Sequence, residues 1–456
     1  MRGNKSKYVV GLLICFCFLT CSGVAVSANS TAARTASIDT ALAQQYFQEA
    51  ENVCRADGGY LWGVSLCAPL LFVDPKTRFI VANEQDAEGS LTKQGNVFTG
   101  QLPERVNIAN TATNWSGTKW AMIKWPLPEN KFERANLLAH ESWHRIQDAL
   151  KLPASMPANA HLDSPQGRLW LQLEWHALAA ALTKRDDEER RAAIRNALMF
   201  RAYRRTLFPG AEAEERALEM HEGLAEYTGV KLSGRPYVAQ HVAAQLKEAE
   251  KRETFVRSFA YASVPAYGIL LDDATGGAAW RKNLRPADDL GLLLQRALSI
   301  KLPANVKQEA ASAATNYSGD ALAKTENERE KQRQQRLASY RARLVDGTLL
   351  LIPLKKMSLQ FNPNNVLPLD GRGTIYPTIR VVDVWGVLNV TEGALMNEMF
   401  TKIYVPASPE LDSQRNARAL RGDGWTLDLS AGWTIKPGTR KGDFVLQQSE
   451  AIQTPR

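Results

Sequence analysis

The sequence of 456 residues predicts an α+β chain: a mostly helical centre, preceded by a mixed α/β region and followed by a separate, mainly-β region. Three observations predict it. Residues 60–82 carry strand-like apolar runs with Asp74-Pro75 as turn punctuation. From about residue 130 to 300 the apolar residues recur at helical spacing, with start and stop signals around them. Beyond Asp346-Gly347 the pattern changes to short apolar runs bounded by Gly and Pro. With 45% hydrophobic and 23% charged residues the composition is that of an ordinary globular protein, and the length allows two or three cores.

At the N-terminus, Arg2, Lys5 and Lys7 precede an apolar run from Tyr8 to Leu19 that is short for a membrane span. Val26-Ser27-Ala28 supplies the small residues of a cleavage site, so residues 1–28 read as a signal peptide and the protein as secreted or periplasmic. The alternatives are an uncleaved anchor and a lipoprotein acylated at Cys21, the latter disfavoured by Thr20. Cys15, Cys17 and Cys21 leave with this segment. Cys54 and Cys67 remain and are expected to pair in an oxidising compartment, constraining the unfolded chain by about 3 kcal/mol; two buried thiols are the alternative. Without the three positive charges of the leader the formal net charge falls from +8 to +5, too little to argue for a nucleic-acid partner. No later apolar stretch approaches the roughly 18 residues of a membrane helix, so no span is expected after cleavage.

The expected divisions are then 29–125 for the mixed α/β region, 126–300 for the helical domain, 301–345 for a charged helical linker and 346–456 for the β domain. Residues 38–52 read as a helix. Trp115 to Trp125 alternates as one edge strand, ended by Pro126 and Pro128. Asn130 with Glu133 makes an approximate capping box for a helix whose apolar positions include Phe132, Leu137, Leu138 and Ile146. Ser164-Pro165 opens a helix to about Thr183 and the charged stretch Asp186 to Arg205 returns, giving a helical hairpin over 164–206. After Pro209-Gly210, residues 211–228 form the next helix, with Gly229 as its C-cap. Lys324 to Arg343 reads as a solvated connecting helix. Thr348 to Pro353, Thr378 to Val384, Thr401 to Val405 and Asp443 to Leu446 read as strands. Trp385, Trp425 and Trp433 are assigned to core packing before any ligand contact.

The chemistry concentrates in His140-Glu141-Ser142-Trp143-His144. Two imidazoles four residues apart share one helix face and can reach a single Zn²⁺ as neutral ligands. Glu141 lies close enough to take a proton from a water that the metal acidifies. A catalytic zinc wants a third protein ligand and an open position. Met220 to Tyr227 offers Glu222, with Glu226 one turn later on the same face; a solvated i, i+4 pair is the alternative. His221 is a rival, about 100° away around a regular helix. Glu174 and His176 form another carboxylate–imidazole pair, more simply read as packed or capped. His161 and His241 stay unassigned, as surface or capping residues.

His140 to His144 together with Glu222-Gly223-Leu224-Ala225 resembles the gluzincin zinc metallopeptidases, the broad group that includes thermolysin and aminopeptidase N, over about residues 114–270. The resemblance implies a zincin-like catalytic domain and one zinc per chain on His140, His144 and Glu222. It also implies Glu141 as general base and Glu226 as the carboxylate orienting a metal-bound histidine. A tyrosine offsetting charge on the attacked carbonyl is expected. Phe259 to Gly268 is similar in position to the family's tyrosine stretch, with Tyr261 first choice, Tyr267 second, and Val264 where the family has Gly. The 77 residues between His144 and Glu222 exceed the family's spacing, so the hairpin 164–206 is expected as an insertion. No Gly-x-Met-Glu-Asn segment occurs, and aminopeptidase specificity is not implied. The implied partner is a peptide or protein substrate, laid as an added strand beside Trp115 to Trp125. The rival readings are a non-catalytic cell-envelope or secreted binding protein with a structural or vestigial zinc site, and an accidental motif in a protein without metal.

Overall fold

A computed structural model describes residues 38–449 apart from 283, 363, 364, 370 and 416. The signal-peptide reading, with Cys15, Cys17 and Cys21, falls outside the described residues. Among these, no helix is long and apolar enough to cross a membrane.

Helix α1 (Thr40–Asp57) starts where the Asp39 carboxylate accepts from the amides of Ala41 and Leu42, and it stops at Gly58 in the left-handed conformation. Cys54 near its end is disulfide-bonded to Cys67. Six strands follow: β1 (Leu70–Val73), β2 (Phe79–Ala82), β3 (Thr92–Gln94), β4 (Val97–Gln101), β5 (Thr111–Trp115) and β6 (Thr118–Lys124). They form one sheet in the order β3-β4-β2-β1-β6-β5, with β1 and β6 parallel. Every side chain of β1 is buried because both faces of the sheet are covered. Leu70 and Phe72 meet Tyr46, Phe47 and Leu138 on one face; Leu71 and Val73 meet Leu91, Trp120 and Met122 on the other.

The aromatic segment from Trp115 is therefore not one edge strand. Ser116 (φ 50°) and Gly117 (φ 71°) turn the chain back between β5 and β6. Two consecutive positive φ values give the turn twist that suits a two-residue hairpin, and the alternation of the sequence simply runs on through it. Trp115 closes β5, which is the sheet edge, while β6 lies inside between β1 and β5.

Helix α2 (Lys131–Ile146) begins as expected, with the Asn130 side chain accepting from the amides of Phe132 and Glu133. The hairpin is present as α3 (Pro165–Thr183) and α4 (Asp187–Leu207). There follow α5 (Ala211–Leu218), α6 (Leu224–Leu232), α7 (Val238–Ala249), α8 (Ser258–Thr275), α9 (Leu290–Ala297), α10 (Val306–Ala314) and α11 (Gly319–Arg341). The hairpin is central to this region. Trp175 of α3 is fully buried and donates to Ser263 Oγ of α8. Arg201 of α4 forks onto Glu219 through two bonds of 2.7 Å, and Arg204 reaches Glu215 and Glu174. Each of these buried charges is paired, which is what a desolvated ion requires. Helix α11 is largely exposed as expected, yet its Glu326 is buried and accepts from Gln172 and Arg168 of α3.

Gly229 does not cap a helix; it sits inside α6. A Cβ there would lie 1.7 Å from Asn136 Oδ1 and 2.6 Å from the Asn136 carbonyl, so the missing side chain is what lets α6 press against α2. Gly223 does the same against α8, where a Cβ would come within 2.3 Å of Val264 Cγ2. The glycine was a packing signal rather than a stop signal.

The C-terminal region holds β7 (Leu349–Pro353), β8 (Ser358–Phe361), β9 (Leu367–Leu369), β10 (Gly373–Tyr376), β11 (Ile379–Asp383), β12 (Gly386–Val390), β13 (Ala394–Met396) and β14 (Lys402–Pro406). It ends with β15 (Ala419–Gly422), β16 (Trp425–Leu429), β17 (Trp433–Pro437) and β18 (Phe444–Gln448). One sheet runs β17-β18-β7-β14-β13-β10-β9 and the other β15-β16-β12-β11-β8. Trp385 and Trp425 are buried, their indole N–H groups donating to the carbonyls of Pro353 and Pro406, while Trp433 is half-buried under the Lys355 ammonium. One apolar core continues from the helices into these sheets, and the described chain forms one unit with the β region as a lobe of it.

Candidate metal centre

Because α2 carries its side chains at helical period, His140 and His144 project from the same face one turn apart. Their Nε2 atoms lie 3.2 Å from each other, and Glu222 Oε2 is 3.8 Å from the first and 3.5 Å from the second. One donor atom from each residue falls within 4.8 Å of the others, and the three side chains are at most 10% exposed.

Glu222 arrives from a local irregularity. Between α5 and α6 the residues Glu219–Gly223 form a π-helical turn, whose i→i+5 bonds widen the helix. On a regular helix His221 and Glu222 would point about 100° apart. Here both line the same cleft, with His221 Nε2 3.5 Å from Glu222 Oε1. The expectation that only one of them could face the site assumed a regular helix.

The outer ring nitrogens are held. His140 Nδ1 meets Glu226 Oε2 at 2.9 Å, and Glu226 in turn accepts from Asn136 Nδ2 at 2.9 Å. His144 Nδ1 and His221 Nδ1 converge on one acceptor, Gln147 Oε1, at 3.2 and 3.0 Å. Acceptors on Nδ1 select the tautomer with the proton there, which leaves the Nε2 lone pairs aimed at the Glu222 carboxylate. Gln147 and Asn136 were absent from the sequence reading. Their spacing was a usable signal, since Asn136 precedes His140 by four residues and Gln147 follows His144 by three, both on the ligand face.

Three lone-pair donors pointing at one another need a cation between them. Burial would push the His140 pKa down, but its bonds to Glu222 and Glu226 outweigh this and raise it well above the ordinary value. A proton on His140 relieves only part of the contact, whereas a metal ion would accept all three donors. Burial also works against an ionised Glu222, yet the two histidines hold its pKa well below the usual range. Burial lowers the His221 pKa to about 4, so that ring is neutral near pH 7. Two imidazoles and a carboxylate are the donor set of many catalytic zinc sites, and the buried His140, His144 and Glu222 fit such an ion.

Glu141 is 4% exposed, lines the same cleft, and its Oε2 has no hydrogen-bond partner. Burial raises its pKa, with Glu222 and Glu226 adding to the rise and His140 and His144 opposing it. Tyr261 also belongs here: its hydroxyl donates to Glu222 Oε2 at 2.6 Å and its ring stacks on His140 with centroids 5.7 Å apart. Tyr267 does not, because its hydroxyl is committed to Glu174 in the buried ion network. Nor does His176, bonded to the Tyr317 carbonyl and Glu250. His161 is no surface residue, since its Nε2 meets buried Glu215 at 2.9 Å. His241 is half-buried beside a neighbouring pocket that also reaches Glu226.

The site opens into a cleft of ≈ 1120 Å³ whose far wall is the β lobe, through residues such as Gln360, Arg380 and Asn389. The loop before β5 fastens that wall. Asn107 donates to Ser358 Oγ and accepts from Arg380 Nη1, both at 2.8 Å, and the Ile108 amide donates to Gln360 Oε1. The chain matches no protein-family model, no curated protein and no solved structure. What the site does must therefore be argued from its own chemistry.

The Glu226 contact makes one expectation quantitative. Removing a carboxylate that orients a metal-bound imidazole typically costs about 10- to 100-fold in metal affinity. If His140, His144 and Glu222 hold a metal ion, Glu226→Gln should weaken its binding by that factor without abolishing it, measured by competition with a chromogenic chelator. Unchanged affinity would remove Glu226 from the site.

Proposed function

We propose that this site belongs to a metal-dependent hydrolase that works on a water molecule. The reading that supports it best in particular is an exported zinc metallopeptidase of gluzincin type, cleaving peptide bonds with one zinc on His140, His144 and Glu222. The observation that carries it is the convergence of those three donors within 4.8 Å, beside a buried carboxylate with an unpartnered oxygen. The disulfide between Cys54 and Cys67, and the absence of a membrane-crossing helix among the described residues, are compatible with a secreted protein.

When bound, zinc supplies Lewis acidity to the scissile carbonyl and to the attacking water. Glu141, its pKa raised by burial, takes the water proton and later returns it to the leaving amine. Burial and the neighbouring Glu222 hold the Tyr261 hydroxyl well above its ordinary pKa, so it stays a donor and can turn from Glu222 toward the oxygen that gains charge. Glu226 and Gln147 keep the imidazoles in register. The exposed row of backbone groups on β5, rather than β6, is where an extended peptide would lie.

A second reading draws on His221. If its Nε2 joined the other three donors the coordination would be closed, and the zinc would be structural, in a non-catalytic binding protein. Metal content after dialysis and digestion of a random peptide library decide between these. Catalysis predicts about one zinc per chain, lost in Glu222→Ala and kept in His221→Ala, with library cleavage by the wild type. Zinc lost in both variants with no cleavage supports the structural site, and no zinc in the wild type overturns both.

A further inference from the structure

Outside the residues already given a role, the cleft holds one buried charge that no described residue answers; its other unpaired charges, Lys124 and Glu133, are exposed. Arg257, immediately before α8, is 9% exposed and lines the cleft together with His221, Glu222 and Tyr261. Its guanidinium makes no hydrogen bond and no ion pair with any described residue, although Arg252 five residues earlier donates to the Ser258 carbonyl. The other buried arginines of the helical region, Arg134, Arg168, Arg201, Arg204 and Arg281, are each paired with carboxylates. Arg380 on the opposite wall is likewise tied, to Glu104 and Asn107.

A guanidinium stays charged at any physiological pH and presents a planar fork that matches a carboxylate. Burying one without a partner is costly, and a carboxylate entering the cleft would supply the missing charge. The position is specific. The positive charge of Arg257 acts on His221 and Tyr261 at the metal site and on Tyr376 in the β lobe. It therefore lies where the metal centre meets the lobe. Of the carboxylates that share the cleft, Glu222 and Glu226 are engaged by His140, His144, Tyr261 and Asn136, and neither Glu133 nor Glu141 forms an ion pair with Arg257.

We propose that Arg257 is the anchor for a substrate carboxylate, so that the peptides this site accepts carry an anionic group close to the scissile bond. The proposal rests on the peptidase reading and names its substrate class. Two sources share the chemistry, the free α-carboxylate of a chain end and the side chain of an Asp or Glu. The first would make the enzyme a carboxypeptidase, the second an endopeptidase with acidic preference.

The test uses the zinc-loaded full-length protein carrying Glu141→Gln, immobilised and offered three pools of random hexapeptides, with retained peptides counted by mass spectrometry. One pool lacks Asp and Glu and ends in a free acid; the second is the same pool as C-terminal amides; the third is amidated with a single Glu. Retention of the first or the third at least tenfold above the second is expected, and which of them is retained identifies the source. Arg257→Ala should erase the difference and Arg257→Lys should keep part of it. Zinc content and circular dichroism check that each variant is folded, with Arg257→Gln replacing Arg257→Ala should the smaller residue fail. Equal retention of all three pools, or a preference that survives loss of the guanidinium, overturns the proposal. Digestion by the protein with Glu141 intact is a separate readout. Cleavage without acidic preference sinks only the anchor, and Arg257-dependent retention without cleavage sinks only the peptidase.

Discussion

Glu141→Gln is expected to keep one zinc per chain and to lose at least about 10²- to 10⁴-fold in turnover, the usual contribution of a positioned general base. The amide is close to isosteric and Glu141 is not one of the three donors, so metal binding should be largely kept. Its Oε2 has no partner in the folded protein, and the substitution therefore breaks no structural bond. Elemental analysis and peptide turnover on the same preparation are the measurement. A variant that holds zinc and still hydrolyses peptides would remove Glu141 from the mechanism.

The second large effect is on stability. A ligand bound only by the folded state adds about 4 kcal/mol at a thousand times its dissociation constant. In this protein it would also relieve the contact between the Nε2 atoms of His140 and His144, 3.2 Å apart. Stripping zinc with a chelator should lower the melting temperature by several degrees, and restoring zinc should recover it. Glu222→Ala and His144→Ala should melt at one temperature with or without metal. Should wild type also melt alike in both conditions, no metal is held at these residues.

The parts of this molecule that follow from short-range rules could be read in the sequence. Asn130 as N-cap, the hairpin of α3 and α4, the disulfide and the apolar runs of the strands near 350, 380, 403 and 445 are all carried by residues close in sequence. So is the pairing of His140 with His144, whereas the approach of Glu222 and Glu226 was expected only from the likeness of Glu222-Gly223-Leu224-Ala225 to a known motif. What failed depended on partners distant in sequence. Gly229 looked like a stop because glycine ends helices, and only the approach of Asn136 reveals its use. The π turn at Glu219–Gly223 has no marker of its own, so His221 was placed on the wrong side. Arg257 was one arginine among many until the fold buried it without a partner, and the far wall of the cleft comes from strands more than a hundred residues beyond Glu222.

Gly229 has a further consequence. It sits where α6 crosses α2, in contact with Asn136 one turn from His140, while Glu222 enters from the turn before α6. The gap between the two helices is thus the gap between the halves of the metal site, and it is gauged by a hydrogen atom. A residue that binds nothing works as a spacer: any bulk placed there would act as a wedge and open the bite of the ligands, with the ligands themselves intact. Any metal affinity of this cluster would in that sense be a property of how closely two backbones can lie.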